Sequence, residues 1–137
     1  MSIVLDSSAT LGWVYPDEAD RRTAEIFDQV IASGAWVPSL WRLEVTNSLQ
    51  IGVRRGRIDA ARRDSVLADL GALDISVDPN TDTAAWSATL RLADQFRLTM
   101  YDAAYLELAQ RRSLPLATLD RALRQAAQAL GVPAIGA

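Results

Sequence analysis

The sequence predicts an α/β fold, a single domain on a mostly parallel sheet with helices covering both faces. Three observations lead there. Short apolar runs of strand length recur along the 137 residues. Stretches with helical periodicity alternate with them, which is the pattern of parallel strands joined by crossover helices. No internal repeat, linker or low-complexity tract divides the chain, so residues 1–137 read as one domain.

The elements follow in order. Ser2 to Asp6, "SIVLD", is a short apolar run ending in a carboxylate and reads as a buried strand. From Asp17 to Ser33, the residues Ala19, Thr23, Ile26, Phe27, Val30 and Ile31 recur at helical spacing, and Gly34 closes the helix. Ala35 to Pro38 is a second strand. Leu40 to Arg55 is a helix ended by Gly56, and Asp59 to Leu73 another, with Asp59 as its N-cap. Asp74 to Asp78 is a third strand. Thr81 to Phe96 and Thr99 to Arg112 are helices, Pro115 to Thr118 a fourth strand, and Asp120 to Leu130 a helix stopped by Gly131. The terminal "VPAIGA" adds an edge strand, a position that tolerates Pro133.

Composition excludes whole classes of chemistry. There is no Cys, so there is no disulfide framework, thiol nucleophile or Cys-ligated zinc. His is absent and all 14 basic residues are Arg. That removes Ser-His-Asp and Cys-His catalysis, Schiff-base chemistry and the lysine of a phosphate-binding loop. Catalysis would fall to Asp, Glu, Tyr, Ser, Thr, Arg or a metal. A net charge of −3 gives no global basic patch. The start "MSIVLDSS" lacks the features of a signal peptide and no apolar run is long enough to span a membrane, so a cytoplasmic protein is expected.

Four carboxylates stand out. In open parallel sheets, ligands bind beyond the carboxyl ends of the strands; Asp6 ends strand one and Asp120 follows strand four. Arg42, Thr46, Gln50 and Arg54 form a polar stripe, and at about 100° per residue Glu44 points away from it, inward with Asn47. Glu107, Gln110 and Arg111 mark the solvent side of the next-to-last helix, which turns Asp102 inward with Tyr105, Leu106 and Ala109. Each acid also has a structural reading. Glu44 can be a satisfied buried acid, Asp102 the N3 residue of a capping box with Thr99, Asp120 an N-cap, and Asp6 the cap of a short helix beginning near Ser8. Taken together, clustered acids raise one another's pKa and call for a cation. An all-oxygen ligand set suits Mg²⁺, with Mn²⁺ as its substitute, and Ser7, Asn47 and Thr118 could orient ligands or waters.

On "VLDSSA", "PSLWRLEVTNSL", "LTMYDAAYLELAQRRSLPLATLD" and the order Asp6, Glu44, Asp102, Asp120, the chain resembles PIN-domain proteins, specifically VapC-type toxins of type II toxin–antitoxin pairs. The resemblance covers nearly the whole chain. It implies a sheet order of 3-2-1-4-5, a homodimer, a VapB-type antitoxin partner, and metal-dependent cleavage of RNA to 5′-phosphate and 3′-hydroxyl ends by the four acids. It also implies phosphate contacts by Arg54, Arg55, Arg57 or Arg97, whose other reading is a solvated helix end. Trp13 and Tyr15 are either core aromatics or the lining of an apolar groove for the antitoxin's helix.

A phosphotransfer receiver or an Asp-nucleophile phosphatase is a poorer match. Both usually employ a Lys, and the phosphatase pattern wants a second Asp two residues after the first, where this chain has Ser8. A non-catalytic PIN-like module that binds RNA or a partner is the alternative of a different class.

Overall fold

The computed structural model describes residues 1–15 and 20–136. Five strands, β1 (Ile3–Leu5), β2 (Ala35–Val37), β3 (Ile75–Val77), β4 (Leu116–Ala117) and β5 (Ala134–Ile135), form one sheet in the order β3-β2-β1-β4-β5. Every pairing is parallel. The first strand is therefore central. Its three residues are 0% exposed, which requires cover on both faces. Helices α2 (Arg21–Ser33) and α7 (Met100–Arg112) both pack on it.

The remaining helices are α1 (Ser7–Val14), α3 (Trp41–Arg54), α4 (Ala60–Gly71), α5 (Thr81–Ala84), α6 (Leu90–Phe96) and α8 (Arg121–Leu130). α1 is the helix that the Asp6 cap reading pointed to. It packs against α2 and α3 and has no exposed residue, so it carries no solvent-facing period to mark it. The start of the helix expected from Asp17 lies partly outside the described residues. Within them, α2 begins after Asp20, whose side chain accepts from the backbone N–H groups of Arg22 and Thr23 while Thr23 Oγ1 accepts from the Asp20 N–H. This capping box satisfies donors that the helix itself cannot. The helix expected over Thr81 to Phe96 is continuous, but its middle, Ala85–Thr89, is π-helical.

Helix phase held for the core and failed at its margins. Thr23, Ile26 and Val30 of α2 are buried, whereas Phe27 and Ile31 lie on the outside. Glu107, expected on the solvent side of α7, is 4% exposed. The reason is an ion network. Arg111 Nε donates to Glu107 Oε1 at 2.7 Å, and Arg111 Nη2 donates to Asp78 Oδ2 at 2.6 Å. Arg112 donates to Asp78 Oδ1 at 3.0 Å and lays its guanidinium 3.5 Å above the Trp36 ring. Burial pushes the Asp78 carboxyl up, but hydrogen bonds and charge from Arg111 and Arg112 outweigh it and hold the group below the usual range.

This network ties the end of β3 to the end of α7. Asp78→Ala should cost about 3 kcal/mol in urea unfolding, the low end for breaking a buried pair because both arginines keep some solvent. A loss under about 1 kcal/mol, the scale of a surface pair, would mean that the network does not hold these elements together.

Candidate active site

Asp6 is the next residue after β1 and is 2% exposed. The parallel register that pairs Leu5 with Ala117 brings Thr118 level with it. Thr118 Oγ1 donates to Asp6 Oδ2 at 2.7 Å, and Ser8 Oγ donates to the same oxygen at 2.7 Å. Both hydroxyls are aimed by what they accept. Thr118 Oγ1 takes the Asp120 N–H and Ser8 Oγ takes the Leu119 N–H, each at 3.0 Å. A hydroxyl has one proton to give, and here it goes to the carboxylate. Burial pushes the Asp6 carboxyl up, the Ser8 and Thr118 bonds oppose it, and the charge of Asp120 adds to the rise.

Asp120 stands where sequence placed it, between two roles. Its Oδ1 accepts from the Leu123 N–H at 2.9 Å, so it is the N-cap of α8. Its charge also adds to the upward shifts of both Asp6 and Asp102. The cap and the cluster are compatible because the carboxylate has a second oxygen.

Glu44 lies in the first turn of α3 and Asp102 in the first turn of α7. The start of α3 is fixed from below. Trp41 Nε1 donates to Thr10 Oγ1 at 3.1 Å, and Thr10 Oγ1 donates to the Asp6 carbonyl at 3.1 Å. Thr99 caps α7 by accepting from the Asp102 N–H at 3.1 Å. The reciprocal half of a capping box, from the Asp102 side chain to the Thr99 backbone, is not formed among the described residues. Asp102 is half-buried, and its carboxyl is pushed up to about 6, first by burial and then by the charges of Asp6, Asp120 and Glu44. Glu44 is raised too, by burial and by Asp6, against a hydrogen bond from Tyr105.

One expectation needs correction. Asn47 does not look inward with Glu44; it is exposed and borders a shallow surface hollow with Leu43, Thr46 and Gln50. Three residues along a helix is a turn of about 300°, so Asn47 stands about 60° away from Glu44, enough to leave the interface. Ser7 does reach Asp6, but at 3.4 Å, weaker than the neighbouring Ser8, which sequence reasoning passed over. Arg54 and Arg55 lie at the far end of α3, about 15 Å along the axis from Glu44 at 1.5 Å per residue. The Arg57 guanidinium lies 3.8 Å over the Tyr15 ring. Arg97, exposed and in the left-handed region at φ 55°, sits two residues before the cap of α7. Tyr15 is core, whereas Trp13 lines an apolar groove of about 330 Å³ with Phe27, Val66, Leu70 and Leu73.

The arrangement suits a cation in its donor set and its charge. Among the described residues none of the four acids is paired with an arginine, whereas the buried Asp78 holds two. Among the described residues no three of the carboxylates surround one point as ligands.

One consequence can be measured on metal-free protein. Asp102 keeps its proton to about pH 6 in the folded state, against 3.8 as its ordinary value. Between those limits the folded state binds more protons, so its stability falls as pH rises from about 4 to about 6. Asp102→Asn should reduce that fall in melting temperatures recorded with EDTA. The same fall in both proteins would mean that neither burial nor the neighbouring acids raise the Asp102 carboxyl in the folded state.

Known proteins align with this arrangement over almost the full length. Residues 3–129 match the PIN domain family. The chain is 29% identical over 133 residues to Ribonuclease VapC3 of Pyrobaculum aerophilum, covering 97% of this chain and 100% of that protein. The crystal structure of PAE2754 from Pyrobaculum aerophilum superposes with a TM-score of 0.64 at 26% identity, over 98% of this chain and 92% of that one. FitAcB from Neisseria gonorrhoeae shares the fold at 16% identity, with a TM-score of 0.67 over 98% and 96% of the two chains. A parallel sheet in the order 3-2-1-4-5, acids at its carboxyl edge and a match from residue 3 to residue 129 lead to one assignment: the chain belongs to the PIN-domain family.

Proposed function

We propose that this protein is a divalent-metal-dependent endoribonuclease, the toxin of a type II toxin–antitoxin pair. The observation that carries the reading is the uncompensated charge of Asp6, Glu44, Asp102 and Asp120 at the point where the strand order reverses between β1 and β4. The likeness to a protein named Ribonuclease VapC3 supports RNA as the substrate.

Mg²⁺, or Mn²⁺ in its place, would be held by Asp6 and Asp102, with Glu44 and Asp120 completing the cluster. A bound divalent cation supplies a lower pKa for a coordinated water and neutralises charge developing on a phosphate. The chain's residues do the rest. Ser8 and Thr118 hold the Asp6 carboxylate in one orientation, with Ser7 more distant. Asp120 presents one oxygen to the cluster while α8 holds the other. Arg97, exposed before the start of α7, would meet a phosphate, and Arg54, Arg55 and Arg57 would meet the strand farther along. Likeness to such nucleases implies 5′-phosphate and 3′-hydroxyl ends, which would leave the attack to water and give the RNA 2′-hydroxyl no part as nucleophile.

The same reading carries a partner and a setting. A VapB-type antitoxin would lay an apolar helix in the groove beside Trp13 and Phe27, whose floor is Val66, Leu70 and Leu73. The active form would be a cytoplasmic homodimer of single-domain chains.

Asp102→Asn should lower Mg²⁺-dependent RNA cleavage by roughly 100-fold or more, as loss of a ligand outweighs loss of an outer partner. The variant should stay folded by circular dichroism. Cleavage at the unaltered rate, or cleavage by the natural protein in EDTA, would overturn the metal-site reading and leave Asp102 a residue of the helix start.

A further inference from the structure

Tyr105 is the largest of the fully buried side chains and has 0% exposure. It lies one turn beyond Asp102 on the same face of α7. Its hydroxyl donates to Glu44 Oε1 at 2.5 Å, across 61 residues of chain. The acceptor belongs to a different helix, so the bond ties α7 to α3. Nothing in the chemistry of a buried phenol requires this partner. A backbone carbonyl or a water would satisfy it.

We infer that Tyr105 is a positioning residue: its hydroxyl fixes the Glu44 carboxylate over the sheet edge and couples α3 to α7 at the metal-binding cluster. The inference rests on the proposed metal site and deepens it. The phenyl ring is clamped by the core, so its hydroxyl is a fixed point. Glu44 has three rotatable side-chain bonds and would otherwise sample several positions away from its acidic neighbours, which repel it. A donor aimed at one oxygen selects one of those positions before any cation arrives. Ser7 stands beside the same pair, lending a further hydroxyl to this corner. Asp102 and Tyr105 thus act from one helix face, one as an acid of the cluster and the other through Glu44.

The test is a double-mutant cycle read by Mn²⁺ titration calorimetry, which needs no RNA. Tyr105→Phe keeps the ring and removes only the hydroxyl. It should weaken Mn²⁺ binding roughly tenfold, the scale seen when the outer partner of a metal ligand is lost. In a Glu44→Gln background the same change should alter affinity by less than about twofold, because the carboxylate that the hydroxyl positions is gone and only a neutral amide oxygen remains to accept from it. A merely structural tyrosine would weaken binding equally in both backgrounds, or in neither, and either result overturns the inference. Should Glu44→Gln itself bind Mn²⁺ as the natural protein does, the proposed metal site fails at Glu44 and the inference fails with it. The unaltered chain provides a second measurement if Tyr105→Phe does not fold. Mg²⁺ should shift the NMR signals of the Tyr105 ring as charge is drawn from its acceptor; signals that stay fixed while Mg²⁺ saturates its site would overturn the coupling.

Discussion

Asp6 is a carboxylate with 2% exposure at the end of the central strand, held by hydroxyl groups and backbone geometry with no cation beside it among the described residues. A buried charge without a partner costs several kcal/mol, and the usual escape is protonation or pairing. Around this residue the local structure is arranged. β1 delivers it to the sheet edge, the register with β4 brings up Thr118, and α1 turns at once so that Ser8 reaches back. Thr10, one turn on, binds the Asp6 carbonyl and receives Trp41, which seats the first turn of α3 and with it Glu44.

The fold contains a second group of buried acids, and the contrast is informative. Asp78 and Glu107 are as buried as Asp6, yet both meet arginine, and the four charges of that network balance in pairs. The protein therefore has the means to neutralise an interior acid and uses it where the task is to join β3 to α7. At the switch point between β1 and β4 no such pair is formed among the described residues. Leaving like charges together lowers stability unless something outside the chain completes them, and that places the energetic penalty where a ligand can recover it.

Much of this could be read in the residues alone. Strands and helices alternate plainly, and stop signals such as Gly34 and Gly131 stand where the helices end, both at positive φ. The inward turn of Glu44 was legible because Arg42, Thr46 and Arg54 on the other side of α3 are exposed, whereas the stripe read for α7 included Glu107, which is buried. The order of the strands was legible only through family resemblance, since nothing in a short apolar run names its neighbour. What stayed hidden has physical reasons. α1 has no exposed side, so it shows no period. Glu107 sits on a helix enclosed along seven consecutive residues, from Ala103 to Ala109, where a charged side chain no longer marks solvent. The Tyr105–Glu44 bond and the Ser8–Leu119 bond join distant parts of the chain, and local spacing carries no trace of them.

The central claim is that the four acids are left without a counter-charge in order to take up a divalent cation. Crystals grown or soaked with Mn²⁺, with diffraction collected where manganese scatters anomalously, test it most directly. The account predicts an anomalous peak at the carboxyl edge of the sheet, in contact with Asp6 and Asp102 and bordered by Glu44 and Asp120. Strong peaks elsewhere with none at this edge, or a guanidinium folded into the cluster in its place, would contradict it.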